Sequence, residues 1–452
     1  MILDYLANAD LKAVRLTCHV LIQVSSSALY KVVNLCPSKR SLQAWSQLIQ
    51  HEQLRFCPRL IEIYTKEGET GGLDKRPWVD AVTQQLPQLQ SLQSVKFHLS
   101  VLCRTPNTFG GLIENEDLQV RRQLLNALSS GLTTFAQAYG RSIENVTLFN
   151  PRDASLGARP AKSSKDLRDL NHEAFSKVLS QLQSLHLFVL SDQDTYDGPF
   201  YLERESFPLD LAKKWLPLCS QQLTSLTLCF DAPWGALDCS FDADGLELPL
   251  LTSLTLGSYT VDCEHAFDWV LRCKRLRNLS LYACSIVVLL MESIYHSRPE
   301  SFPRRLIGRM SSEFQWFEYQ VRWYHLFDKI AAALPDLHDF DFYDNFENEF
   351  FYDHLHRKTR MSSDRYLVFD WNFRLDLDLN LYEDLGCDTE EISPLLTDAS
   401  PRSVHEKTGA DDSRALKGLL RACSSRGGLQ RSLKVEMVEI RDGSLSPMWV
   451  ET

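Results

Sequence analysis

The residues best placed to do chemistry are few, and each admits a plainer reading. In "FDWNFRLDLDLNL" (369–381), Asp376, Asp378 and Asn380 stand two apart, as at the start of a calcium loop. Such a loop also needs glycine at its sixth position and glutamate at its twelfth, and here those are Leu381 and Cys387. Strict alternation already explains the acids as one solvent face, so calcium is not expected. "DHLHRK" offers His354 and His356 near Asp353 and Glu349. Histidines two apart share a face only on a strand, and no further ligand follows at a metal spacing, so a polar surface patch is the simpler account. The twelve cysteines form no CxxC pair; Cys219, Cys229 and Cys239 are ten apart, and Cys18 and Cys284 sit at apolar periodic positions. They read as free thiols of a reducing compartment. Neither a glycine-rich phosphate loop nor a GxSxG elbow occurs, and no spacing pairs a nucleophile with a base. The expectation is a protein without catalytic residues, metal or cofactor. One stretch, "DLHDFDFYDNFENEFFYD" (336–353), mixes acids with rings. It suits either a basic docking partner or acids on a solvated edge with rings turned inward.

The totals narrow the partners. The chain has 452 residues, 44% hydrophobic and 24% charged, with a formal net charge of −11. Polyphosphate binding needs a basic surface, so nucleic acid and anionic membrane are not the expected partners. No run approaches the ~18 apolar residues of a membrane span; "SIVVLLM" is among the longest. Asp4 and Asp10 with no basic leader argue against a secretory signal, so a cytoplasmic or nuclear location is expected.

The elements that organise the chain are copies of a Leu-x-x-Leu-x-Leu kernel: Leu182/Leu185/Leu187, Leu223/Leu226/Leu228, Leu251/Leu254/Leu256 and Leu276/Leu279/Leu281. Looser copies stand at Leu92/Val95/Phe97, Ile143/Val146/Leu148 and Leu337/Phe340/Phe342. Only the steps from 223 to 251 and from 251 to 276 match the 20–29 residues of a regular leucine-rich repeat. Segments with helical spacing precede the copies: "RPWVDAVTQQL", "HEAFSKVLSQL", "LDLAKKWLPLCSQQL", "HAFDWVLRCKRL" and "FEYQVRWYHLFDKIAAAL". Helix and short strand in repetition predict an α/β fold, an irregular leucine-rich-repeat-like solenoid over 81–345. Alternation along each strand turns the kernel leucines inward. It turns Ser184, His186, Phe188, Ser225, Thr227, Ser253, Thr255, Asn278, Ser280 and Tyr282 outward. In a horseshoe that is the concave side, the candidate substrate-binding face; a solvated sheet surface without ligand fits the same letters.

Turn-forming composition marks loops at 150–166, 191–200, 231–249 and 296–313, and a polar, mobile segment is expected at 386–416. The alternation of 369–381 predicts a half-buried strand. With "SLKVEMVEI" (432–440) it is expected to build a β-containing C-terminal cap over 346–452.

The opening "ILDYLANADLKAVRLTCHVLIQVSSSALYKVV" is apolar on two sides when residues 10–24 are wound as a helix. Leu11, Val14, Cys18, Leu21 and Ile22 fall on one face; Ala13, Leu16, Val20 and Val24 fall almost opposite. This pattern resembles the F-box, the three-helix module that binds the Skp-type adaptor of cullin–RING ubiquitin ligases. The likeness rests on Ile2, Leu3, Leu6, Asp10-Leu11, Val14, Leu16, Cys18, Leu21 and the Leu29-Tyr30 pair. F-boxes begin with Leu-Pro and an acid, and that opening is absent, so the module is expected to be truncated at its N-terminus. With irregular leucine-rich repeats the chain is similar to F-box proteins of filamentous fungi. The resemblance implies a partial F-box-like helical module at 1–40, joined by a connecting helical segment at 41–80. It implies adaptor contacts from Leu3, Leu6, Asp10, Leu11 and Val14. The function implied is the substrate-recognition subunit of an SCF-type E3 ligase, holding a protein substrate on its repeats. The alternative is a leucine-rich-repeat interaction scaffold unconnected with ubiquitin.

Overall fold

The protein is seen here as a computed structural model. It describes residues 6–17, 19–65, 76–100, 118–152, 172–190, 207–236, 240–293, 304–309, 314–343, 360–361, 365–369, 401–427 and 436–437. The chain is mixed α/β with a large, mostly parallel sheet. It divides into two compact units, Met1–Gly257 with Arg272–Leu276, and Ser258–Leu271 with Arg277–Thr452.

The first unit opens with α1 (Asn8–Thr17) and α2 (His19–Leu29), where the sequence pattern suggested one helix over 10–24. The Thr17 hydroxyl donates to the Val14 carbonyl at 2.8 Å, back-bonding in the last turn that helps end α1. After them come β1 (Val32–Leu35), α3 (Lys39–Gln50), β2 (Leu60–Tyr64), α4 (Arg76–Asp80) and β3 (Ser94–His98). Then follow α5 (Leu118–Tyr139), β4 (Asn145–Arg152), α6 (His172–Leu179), β5 (Ser184–Leu190), α7 (Leu216–Cys219), β6 (Ser225–Trp234) and β7 (Ser253–Val261), the last counted to this unit only through Gly257. Strands β1 to β6 pair in parallel in chain order. Ser38 caps α3, its hydroxyl accepting from the Ser41 amide.

Every kernel side chain named from the sequence is buried, so the period-2 reading of these strands holds. A repeated main-chain contact sets their spacing. The Arg59 carbonyl accepts from the amides of Gln93 and Ser94, at 2.9 and 3.0 Å. The Gln93 carbonyl serves Glu144 and Asn145, the Glu144 carbonyl Gln183 and Ser184, and the Gln183 carbonyl Thr224 and Ser225. Each strand thus enters the sheet gripped by the residue that precedes its neighbour.

Two sequence expectations about this unit are corrected. The segments 1–40 and 41–80 are not wholly helical, because β1 and β2 lie in them and continue the sheet. Their kernels lack the leading leucine: register puts Tyr30 and Pro58 where β3 has Leu92. The loop expected at 231–249 likewise begins later, since β6 runs through Trp234, whose indole donates to the Gly257 carbonyl at 2.7 Å.

The second unit contains α8 (Asp268–Leu271), β8 (Asn278–Tyr282), β9 (Ser285–Ser293), β10 (Arg304–Arg309), β11 (Phe314–Tyr319), α9 (Trp323–Ala333) and β12 (Asp339–Tyr343). It ends with β13 (Arg360–Met361), β14 (Tyr366–Phe369), α10 (Pro401–Gly427) and β15 (Glu436–Met437). Here β8 and β12 pair in parallel, β9 pairs antiparallel with β11, β11 antiparallel with β10, and β14 parallel with β9. The apolar run "IVVLLM" in β9 is wholly buried, as a strand covered on both faces requires. The loop expected at 296–313 contains β10, and the helix expected over 317–334 begins only at Trp323, after β11. The mobile segment expected at 386–416 is corrected from residue 401 onward. Helix α10 buries Val404, Asp412, Ala415, Leu416, Leu419 and Cys423 at helical spacing. Of the strand expected at 369–381 only Phe369 is described, as the last residue of β14, and of that at 432–440 only β15 is; the rest lie outside the described residues.

Candidate functional site

The outward face of the parallel sheet in the first unit carries three rows of side chains, set by the strand register. The upper row runs Tyr64, His98, Phe149, Phe188 and Cys229 across β2 to β6. The middle row runs Asn34, Glu62, Lys96, Thr147, His186 and Thr227; the lower row runs Val32, Leu60, Ser94, Asn145, Ser184 and Ser225.

Rings in the upper row stack like coins. Tyr64 and His98 have centroids 4.3 Å apart and planes 11° from parallel. His98 and Phe149 follow at 4.3 Å and 8°, and Phe149 and Phe188 at 4.7 Å and 7°. The parallel ladder brings like positions side by side, and rings there cover one another's faces. The row closes at β6, where Cys229 is 1% exposed. In β7 a Cβ on Gly257 would stand 2.9 Å from the Cys229 sulfur, so the next strand carries no side chain there.

Polar groups of the middle row pair with near neighbours. Lys96 donates to Glu62 Oε1 at 3.0 Å, and the Tyr64 hydroxyl donates to Glu62 Oε2 at 3.1 Å. Burial by itself would raise the Glu62 carboxyl, but the Lys96 ammonium and the Tyr64 hydroxyl together hold it below its usual value. Burial, aided by the Glu62 charge, pushes the Tyr64 phenol up to about 12. His186 Nδ1 lies 2.8 Å from Thr227 Oγ1. Burial holds both His98 and His186 below the usual imidazole pKa, and for His186 the Lys96 charge adds to it. His98 Nε2 is buried without a hydrogen-bond partner among the described residues.

Of the face residues expected from sequence, His186, Phe188, Ser225, Thr227, Ser253 and Thr255 belong to the first unit. All are half-buried except Thr227, which is 8% exposed. Asn278, Ser280 and Tyr282 belong to the second unit, where they stand opposite Asp339, Asp341 and Tyr343 of β12, with Tyr282 stacked on Tyr343. In the described part of the acid-and-ring stretch, Phe340 and Phe342 are buried and the acids are not, which matches the solvated-edge reading. The sequence left out Tyr64, His98 and Phe149, although "SVKFH" and "NVTLF" each place a ring or imidazole one position past the kernel.

The N-terminal candidates divide. Leu3 lies outside the described residues, Leu6 and Val14 are half-buried, and Asp10 is exposed. Leu11 is 4% exposed and belongs to the chain's own core, so an adaptor contact from its side chain is not open to it. The exposed aliphatic residues are others: Leu16 (88%), Val24 (44%), Ile22 (39%) and Leu21 (36%). Arg15 lies over the Tyr30 ring, 5.9 Å from its centroid.

Among the described residues no cluster of three or more His, Cys, Asp or Glu side chains is placed to hold a metal ion. The calcium-like triplet and the "DHLHRK" histidines fall outside them. No described helix is long and apolar enough to cross a membrane. A scan against protein-family models finds no match to the chain, and a search of curated proteins finds no significant one.

Proposed function

We propose that this chain is a non-catalytic substrate receptor of an SCF-type ubiquitin ligase. Its α1–α2 helices act as an F-box-like module that docks a Skp-type adaptor. Its strand–helix units form an irregular leucine-rich-repeat solenoid whose outward sheet face holds a protein substrate. Ubiquitin transfer then gains from raised effective concentration, with no residue of this chain acting on a bond.

The observation that carries the reading is the exposure of Leu16, Leu21, Ile22 and Val24 on two adjacent helices. Isolated exposed leucines are ordinary, but four aliphatic side chains on two short consecutive helices favour a protein partner. The contact set therefore moves from Leu3, Leu6, Asp10, Leu11 and Val14 toward these four. A second reading, a repeat scaffold unconnected with ubiquitin, draws support from the burial of Leu11 and from β1 and β2 joining the sheet.

Co-expression with a Skp-type adaptor and gel filtration separates the two. The receptor gives a stoichiometric complex that Leu16→Asp with Ile22→Asp abolishes, while circular dichroism of the variant stays unchanged. Absence of any complex with the unaltered chain sinks the reading, as does a complex indifferent to both substitutions.

A further inference from the structure

Resting on the reading of the sheet face as the substrate seat, we propose that the segment bound there is an extended, uncharged, apolar peptide, recognised without phosphorylation. The four stacked groups Tyr64, His98, Phe149 and Phe188 cover one another's faces at 4.3 to 4.7 Å. What they offer a partner is a strip of ring edges, interrupted at His98, whose Nε2 is buried. Ring edges carry the positive end of the aromatic quadrupole, and they favour the faces of other rings and the sulfur of methionine.

Charge argues the same way. Phosphate recognition uses arginine clusters or free lysines that make charge-assisted hydrogen bonds. In the three rows Lys96 is the one lysine or arginine, and Glu62 holds it at 3.0 Å. Both Glu62 oxygens are occupied, one by Lys96 and one by Tyr64, so the carboxylate neutralises an ammonium that stays 39% exposed. The remaining polar groups are amides, hydroxyls and two imidazoles that burial favours in the neutral form. An anionic segment would lose its hydration on this face, where the one cation among the described residues of the three rows is already neutralised by Glu62.

The test uses the full chain and a displayed library of random peptides, followed by synthetic copies of the selected sequences with and without phosphoserine. Selected peptides are expected to be rich in Met, Leu and Phe and poor in Asp and Glu. Phe149→Leu with Phe188→Leu keeps the positions apolar but removes two ring edges, and is expected to weaken their binding about tenfold. Glu62→Gln frees Lys96 and is expected to improve binding of the phosphorylated copies several-fold. Thermal melts of each variant report whether the fold survives. Phosphorylated or acidic peptides preferred by the unaltered chain would overturn the proposal. So would selected peptides that bind the double variant within twofold of normal, or a selection with no enrichment. Adaptor binding is measured separately: its loss with peptide binding intact fails only the ubiquitin reading, and the converse fails only this one.

Discussion

The sheet of the first unit and the helix-covered interior of the second are stabilised in opposite ways. In the first, leucines at repeating positions are buried and the strands turn most of their polar side chains to the outward face, while the buried Arg121 of α5 is held by main chain, donating to the carbonyls of Asn150 and Ser100. In the second, a full ion pair sits where water does not reach: Arg365 and Asp412 are both 0% exposed and 2.7 Å apart. Asp412 Oδ2 also accepts from the hydroxyls of Tyr366 at 2.8 Å and Thr408 at 3.1 Å, and its Oδ1 accepts from the Tyr324 amide at 2.9 Å. Arg365 meets His405 as well, and its carbonyl accepts from the Trp323 indole at 2.9 Å. Burial and the Asp412 charge together push the Tyr366 phenol upward. The apolar layer tolerates any partner of the right size, whereas the ion pair tolerates one arrangement. Repetition fits the first unit and a unique lock fits the second.

The largest test of this contrast is Asp412→Ala. It strands the Arg365 guanidinium in a dry site, and the expected loss is about 3–5 kcal/mol in urea unfolding. Adding Arg365→Met should recover much of that loss, because no buried charge then remains. Leu226→Ala in the first unit should cost about 2–5 kcal/mol through lost burial and a residual cavity. Its outward neighbour Ser225→Ala should stay within about 0.5 kcal/mol in the same assay. Equal effects at 225 and 226 would deny the alternation on which the sheet face depends.

Acid provides a third handle. His98 and His186 have folded-state pKa values lowered by burial, so the unfolded chain binds more protons. Their contribution is complete above the unfolded imidazole value of about 6.5 and is lost as pH falls through the folded values. Melting temperature should fall between pH 7 and pH 5, and His98→Gln with His186→Gln should flatten that slope. The smallest effect is expected from Lys96→Met. The pair it breaks is partly solvated, with Lys96 39% exposed, so stability should change by at most about 1 kcal/mol. A larger change would mean that the middle row is a structural lock like that of the second unit.

The same contrast decides what could be read from the letters. Kernel strands were legible because burial on one face imposes a period of two, and leucine marked it at Leu185, Leu226, Leu254 and Leu279. Strands β1 and β2 escaped because Tyr30 and Pro58 take the place of the first leucine, although Val33, Leu35, Ile61 and Ile63 keep the spacing. Helix α10 escaped because its buried side is partly polar: Asp412 counts as a solvent residue until Arg365 is brought beside it. The outward residues of β5, β6 and β7 were legible for the same reason as the kernels, and the ring stack was not. Stacking depends on which strands are neighbours, a fact carried by register rather than by any one segment. At the N-terminus the two apolar faces were visible, but only tertiary contact shows that Leu11 is sealed while Leu16 is left open.

The grip of each pre-strand carbonyl on two successive amides is made by main-chain atoms, with the Thr224 hydroxyl adding a further bond to the Gln183 carbonyl. Side chains at Arg59, Gln93, Glu144 and Gln183 are therefore free to drift over generations without loosening the stacking of one unit on the next. Only proline, which lacks the donor, would be refused at the amide positions such as Gln93 and Ser94. Such a chain can rewrite its surface while inheriting the spacing of its strands unchanged.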